Sequence, residues 1–244
     1  MSDITPLLIE NLSVSYSGKT VIKDINLDVK SGEVFGLMGL NGAGKTTIIK
    51  AILGLRDLQC GNISLFDRGI SSHKAKSELA YLPEKFEPPW FLSGMEFLKF
   101  SMQLYNRKFD ENKMIEAAAS LDLESAALYR RVNTYSKGMR QKLGLMGTML
   151  TGCSLFILDE PMSGLDPMAR SKVKSMINEM KHEDRTIFLS SHILADMDEI
   201  CDRVALLHNG SILYVGSPKD LKIKTASDNL ENAFLDFIEQ KQVA

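Results

Sequence analysis

VFGLMGLNGAGKTTIIKAIL, residues 34–53, is the stretch that decides the fold. Val34 to Met38 is a continuous apolar run, suited to a strand buried on both faces. A glycine-rich turn follows, and from Thr46 to Leu55 helical spacing runs through Ile48, Ile49, Ile52 and Leu53. Strand, glycine turn and helix frame a match to GxxxxGK(S/T) over Gly39-Leu40-Asn41-Gly42-Ala43-Gly44-Lys45-Thr46. The spacing has a mechanism. Small residues let the backbone curl its N–H groups around a phosphate. The helix start adds a positive dipole. Lys45 neutralises β/γ charge and the Thr46 hydroxyl ligates Mg²⁺. Thr47, next along, joins Gly39 to Thr46 as a candidate nucleotide-binding residue.

Upstream, Leu8 to Val14 and Val21 to Val29 alternate as strands around a turn at Gly18-Lys19. Downstream, Pro88-Pro89 breaks the chain and the pattern becomes helical. Ser93 and Glu96 form a capping box, with Phe97, Phe100, Leu104 and Tyr105 on one apolar face. A second helix runs through Met114, Ala118 and Leu121, and a third spans Lys137 to Leu150. Strand patterns return at Ser154–Leu158, Thr186–Ser190 and Val204–Leu207, and Asn209-Gly210 predicts a hairpin. A last helix begins at a cap formed by Asp228 and Glu231, with Leu230, Phe234, Phe237 and Ile238 on one face. The expected organisation is an α/β core at about 1–87 and 151–225, a helical insertion at about 88–150, and a C-terminal helix at about 228–240.

Composition excludes several classes. The chain has 244 residues, 44% hydrophobic and 25% charged, with formal net charge −2. No global basic excess points to nucleic acid or anionic lipid. Cys60, Cys153 and Cys201 form no CxxC pair and no metal-ligand spacing, which fits a reducing compartment. MSDITPLLIE lacks the pattern of a signal peptide, and no apolar run reaches the roughly 18 residues of a membrane helix. The expectation is a soluble, cytoplasmic chain without direct membrane insertion, whose membrane role, if it has one, comes through a partner.

LFILDEP puts Asp159 and Glu160 at the end of a buried strand. In open α/β sheets ligands gather outside the carboxyl ends of strands. There Asp159 is a candidate Mg²⁺ ligand and Glu160 a candidate general base for an attacking water.

Together these motifs resemble the nucleotide-binding subunit of an ABC transporter, over nearly the whole chain. The resemblance implies a phosphate-loop NTPase core of the ABC ATPase type with an inserted helical subdomain, and ATP with Mg²⁺ as ligands. Tyr16 in SVSYSG matches the aromatic that stacks on adenine. YLPE, Tyr81 to Glu84, matches the loop leading into the helical subdomain, with Glu84 where most of the family has Gln; its carboxylate can serve Mg²⁺ or the attacking water. YSKGM, Tyr135 to Met139, stands where the signature LSGGQ stands; Ser136 and Gly138 match, Lys137 and Met139 do not. Ser136 reads as the N-cap of a helix whose positive end faces a γ-phosphate. SGLD, Ser163 to Asp166, matches the loop that communicates across the dimer. SSH, Ser190 to His192, matches the switch histidine, placing His192 beside Glu160 and the γ-phosphate.

The resemblance further implies a head-to-tail dimer with a second cassette subunit, each ATP lying between one chain's Lys45 loop and the other's Ser136 to Met139 with Asp166. It also implies a membrane-spanning permease partner holding the cassette at the cytoplasmic face. Glu84 and the YSKGMRQ variant look most like cassettes of export systems. Trp90 and Phe91, after Pro88-Pro89, read either as an anchor for that permease or as core of the helical insertion. Two other readings remain: a non-transport ABC ATPase acting on ribosomes or DNA, and a phosphate-loop kinase.

Overall fold

The alternation of the first strands pairs them face to core. In the computed structural model, which describes residues 4–16, 18–183 and 185–243, β1 (Leu7–Tyr16) and β2 (Lys19–Val29) pair antiparallel. Leu7, Ile9, Leu12 and Val14 of β1 face Ile22, Ile25, Leu27 and Val29 of β2 on the buried side. The phase of β1 changes at Asn11, whose φ of 49° accompanies a register shift between Ile9 and Leu12. The chain continues through β3 (Val34–Met38), α1 (Lys45–Ile52), β4 (Cys60–Leu65), β5 (Arg68–Gly69), α2 (His73–Lys76) and β6 (Leu79–Leu82). Next come α3 (Gly94–Leu104), α4 (Glu111–Ser120) and α5 (Lys137–Met149). The remaining elements are β7 (Leu155–Asp159), α6 (Pro167–His182), β8 (Thr186–Ser191), α7 (Leu194–Ile200), β9 (Arg203–His208), β10 (Ser211–Gly216), α8 (Pro218–Thr225) and α9 (Leu230–Val243). The reading at Met1 to Asp3 lies outside the described residues.

Two sheets result, ordered β2-β1-β4-β5 and β10-β9-β3-β8-β7-β6. In the second, β3, β6, β7, β8 and β9 run parallel and β10 closes one edge antiparallel. Helix α1 lies between the sheets: Ile48, Ile49, Ala51 and Ile52 share one buried cluster with residues of β1, β2, β3 and β8. Its position fixes the glycine turn that precedes it. On the sheet's other face the helices pack around Phe156, Leu158, Leu189 and Leu206.

Residues 94–149 hold helices and short 3₁₀ turns. The Ser93–Glu96 capping box is formed. Helix α5 approaches its neighbours through glycines: a Cβ on Gly144 would lie 2.6 Å from the Phe86 ring, and one on Gly147 2.6 Å from the Phe97 ring. Three expectations need correction. Phe97 is buried, but Phe100 and Leu104 are 45% and 64% exposed, because α3 buries the side that carries Phe97, Leu98 and Met102. Tyr81 and Leu82 belong to β6, pairing with Ile157 and Leu158, so the YLPE loop begins at Pro83. Helix α9 is capped by Asn229, whose Oδ1 accepts from the Asn232 N–H at 2.9 Å, not by Asp228.

The Asn209-Gly210 hairpin also joins the two sheets. Gly210 has φ 77°, and its carbonyl accepts from the Lys23 N–H at 2.9 Å. A Cβ there would lie 2.1 Å from the Val21 carbonyl oxygen. Gly210→Ala is therefore expected to destabilise the chain by about 2 kcal/mol or more. That corresponds to a drop of about 4–8 °C in the thermal midpoint. Gly69→Ala, where the added Cβ meets nothing within 4 Å, is the control and should stay within about 0.5 kcal/mol. Equal midpoints for the two variants would contradict this account of the turn.

Candidate active site

Four parallel strands deliver the site from their carboxyl ends. Met38 of β3 leads into the glycine turn, Asp159 ends β7, Ser191 of β8 precedes His192, and β6 leads to Glu84. The turn closes on Gly44, the N-cap of α1, with φ 113° and no side chain to cap the helix. A Cβ on Gly44 would lie 2.4 Å from Ile22 Cδ1, so the turn demands glycine there. The leading N–H groups of α1 thus have no side-chain cap, which suits the helix start to an anion. Lys45, 7% exposed, donates from Nζ to the Gly39 carbonyl at 2.8 Å and lies 3.4 Å from Glu160 Oε1.

The β7–β8 register sets Asp159 opposite Ser190. The Ser190 hydroxyl donates to Asp159 Oδ1 at 2.6 Å and accepts from the Glu160 N–H at 3.1 Å. Thr46 Oγ1 donates to Asp159 Oδ2 at 3.3 Å. Glu160 adopts φ 51°, a left-handed conformation costing about 1–3 kcal/mol in a non-glycine residue. It is held there from several sides. Its Oε2 accepts from the His192 backbone N–H at 3.3 Å and lies 2.7 Å from His192 Nδ1, which donates to it. Burial pushes Asp159 above the ordinary carboxylate range; the Ser190 and Thr46 hydroxyls oppose that shift, and the Glu84 and Glu160 charges add to it. Burial, with Asp159 and Glu84 nearby, pushes the Tyr81 hydroxyl up to about 12.

A cavity of about 410 Å³ brings these groups together: Leu40, Asn41, Gly42, Gly44, Lys45, Thr46, Thr47, Glu84, Asp159, Glu160 and His192 line it. Val21 lines it too; in the sequence it is one apolar residue of an alternating strand. The donor set fits a triphosphate with a divalent cation: uncapped N–H groups, a buried ammonium, and a hydroxyl–carboxylate pair. Among the described residues no three His, Cys, Asp or Glu side chains converge as a metal cage. Such a sparse set suits a cation that keeps phosphate oxygens and waters as ligands.

The other predicted residues lie outside this cavity. Tyr16 ends β1, with the Arg56 guanidinium 4.6 Å above its ring. Ser136 caps α5, accepting from the Met139 N–H at 3.2 Å. Asp166 caps α6, accepting from the Ala169 N–H at 2.9 Å. These two caps are neighbours, because Gly164 leaves room for the Lys137 stem: a Cβ on Gly164 would lie 2.9 Å from Lys137 Cε. Gly138 approaches the same loop, its Cβ position 3.8 Å from Leu165.

The family model described as ABC transporter matches residues 22–163. The chain belongs to the ABC transporter ATP-binding family. An uncharacterised ABC transporter ATP-binding protein of Synechocystis is 39% identical over 199 residues, covering 80% of this chain and 56% of that protein. A fluoroquinolones export ATP-binding protein of Mycobacterium tuberculosis is 34% identical over 212 residues, covering 85% of this chain and 68% of that protein. The solved ATP-binding subunit of an ABC transporter superposes with a TM-score of 0.89 at 31% identity, covering 96% of this chain and all of that one. The cassette thus shares the ABC ATPase fold, and its family binds and hydrolyses ATP.

The raised Asp159 pKa makes a stability prediction for the cassette. An acid whose folded pKa exceeds its unfolded value, here 3.8, binds protons more tightly when folded. Stability is then lost as pH rises from the unfolded to the folded value, and stays lower above it. Asp159→Asn is expected to melt higher than wild type at neutral pH in chelator, by about 2–4 °C for each kcal/mol gained. The advantage narrows as pH falls toward 3.8. A variant that melts below wild type at neutral pH would show that Asp159 instead holds the strand ends together.

Proposed function

We propose that this cassette binds ATP with Mg²⁺ and hydrolyses it, closing on a second cassette to drive a separate membrane-spanning permease in export. The observation that carries the reading is Glu160 fixed between Lys45 and His192, beside the Thr46–Asp159 pair. Gly39 to Thr47 hold the phosphates, Tyr16 stacks on adenine, and Thr46 and Asp159 hold Mg²⁺. Glu84 offers a further oxygen to the ion or to the attacking water. The bound ion neutralises charge on the phosphoryl oxygens. Glu160 takes the proton from the attacking water. His192 orients Glu160 and meets the γ-phosphate. Ser136, Lys137, Gly138, Met139 and Asp166 complete the site of the partner cassette. Residues 88–150 act as the helical subdomain that carries this signature. Support for export comes from the relative named for fluoroquinolone export, together with Glu84 and YSKGM.

Glu160→Gln keeps size and removes the base. It is expected to bind ATP normally, lose about 10²-fold or more in turnover, and run as a dimer with ATP and Mg²⁺ in size-exclusion chromatography. Lys45→Ala is expected to lose ATP binding itself in a fluorescent-nucleotide titration. Wild-type turnover in the first variant, or wild-type affinity in the second, would sink the assignment.

The permease docking face is placed around Trp90. Trp90 is 67% and Phe91 56% exposed, their rings meet edge to face at 5.7 Å, and a cleft of about 430 Å³ between Pro88-Pro89 and Arg140 borders Trp90. The alternative of a core tryptophan is overturned by that exposure. No described helix is long and apolar enough to cross a membrane, and an exposed aromatic anchor suits a partner that does. Trp90→Ala is expected to melt within about 0.5 kcal/mol of wild type yet fail to co-purify with the permease from solubilised membranes. Undiminished co-purification removes Trp90 from the docking face.

A further inference from the structure

We propose that Arg170 is a positioning residue for His192, acting through an ion pair with the buried Asp196. The inference rests on the reading that Glu160 and His192 carry hydrolysis. Two helices follow the two halves of that pair. From Glu160 the chain turns tightly, with Ser163 N–H donating to Glu160 O at 3.0 Å and Leu165 N–H to Met162 O at 3.3 Å, and enters α6 after Asp166. Arg170 lies one turn into α6, its N–H on the Asp166 carbonyl at 2.9 Å. From His192 the chain enters α7, and Asp196 lies one turn on. Asp196 is 5% exposed. Its Oδ2 lies 3.3 Å from Arg170 Nη1 and its Oδ1 3.4 Å from Lys174 Nζ.

The pair closes a ring. Glu160 connects through its backbone to α6 and through its side chain to His192 and α7, and Arg170–Asp196 ties the helices together. Helix α7 has no side-chain N-cap, so its first turn is held by packing and by the contacts of Arg170 and Lys174 with Asp196. The packing is close: a Cβ on Gly36 of β3 would lie 2.7 Å from Met197 Cε. His192 itself is 47% exposed in its side chain, and its hydrogen bonds named above run to Glu160. Its orientation therefore depends on where α7 begins. Arg170 reaches Asp196 through Nη1, and its Nε has no hydrogen-bond partner among the described residues.

The test pairs Arg170→Ala and Arg170→Lys with His192→Ala, in the full chain. Lys174 still pairs with Asp196 in these variants, so neither leaves a buried charge alone. Arg170→Ala is expected to lower kcat about tenfold with KM for ATP within about twofold, and Arg170→Lys to recover most of the loss. In the His192→Ala background the Arg170→Ala effect should vanish, because a residue acting through His192 has nothing left to act on. A second readout needs no turnover. With ¹⁵N-labelled histidine in the nucleotide-free chain, the His192 ring signals should lose the pattern of Nδ1–H donation to a carboxylate in Arg170→Ala and keep it in Arg170→Lys. Equal kcat losses in both backgrounds, or an unchanged His192 pattern, would overturn the proposal. If the wild-type chain hydrolyses no ATP, the functional reading fails, and the ¹⁵N arm still decides whether Arg170 positions His192.

Discussion

The Ser190 hydroxyl is the contact on which the site depends. It donates to Asp159 and accepts from the Glu160 N–H, so one side chain fixes the Asp159 carboxylate and the Glu160 backbone that follows it. The β7–β8 register puts it there. A slip of one residue would turn Ser190 to the opposite face of the sheet and break that bridge. Burying acids at a strand end is unfavourable without partners. Lys45 and Thr46 supply those partners from the far side of the cavity. The acidic strand end and the glycine turn therefore meet across one cavity, while the buried apolar face of α1 holds that helix between the two sheets.

The parts legible in the sequence were those written in consecutive residues. The glycine turn needs only its own spacing, Asn209-Gly210 its own φ values, and Ser93 with Glu96 a three-residue reach. What stayed hidden depends on pairing between distant segments. Ser190 was legible as part of SSH, but its bridge between Asp159 and Glu160 follows from sheet register. Phe100 and Leu104 fit the helical stripe of α3, yet the face buried in the fold is rotated from it, covering Phe97, Leu98 and Met102. Pro83-Glu84 follow Tyr81-Leu82 directly, so in the sequence the end of β6 looks like loop. Arg170 and Asp196 carry no local signal; on a helix, each looks like a solvated charge.

The helical part is coupled to the site by contact rather than by chain connectivity alone. Glu84 lines the cavity, and Phe86, two residues on, rests in the gap left by Gly144 of α5. Phe86 also meets Phe97 of α3 edge to face at 5.4 Å. A shift of the Glu84 loop therefore presses on the helix that Ser136 caps. Gln141 of the same helix donates from Nε2 to the Pro161 carbonyl at 3.0 Å, next to Glu160. Helix α5 thus touches both the loop of Glu84 and the strand end of Glu160.

Ser136 illustrates how the two faces of the chain divide the work on the proposed reading. Its oxygen already accepts from the Met139 N–H, and a hydroxyl that accepts one bond still has its proton to donate. The cap therefore leaves Ser136 able to donate to an anion in front of α5, where the helix dipole favours negative charge. The acceptor has to come from outside, because Ser136, Lys137 and Asp166 are absent from the lining of their own chain's cavity. Lys137 is held over Gly164 in front of the same helix, so its charge reinforces that preference. On the proposed reading, a phosphate reaching this surface belongs to a nucleotide seated in the second cassette. The proposed dimer thus uses a helix end whose cap is already satisfied within one chain.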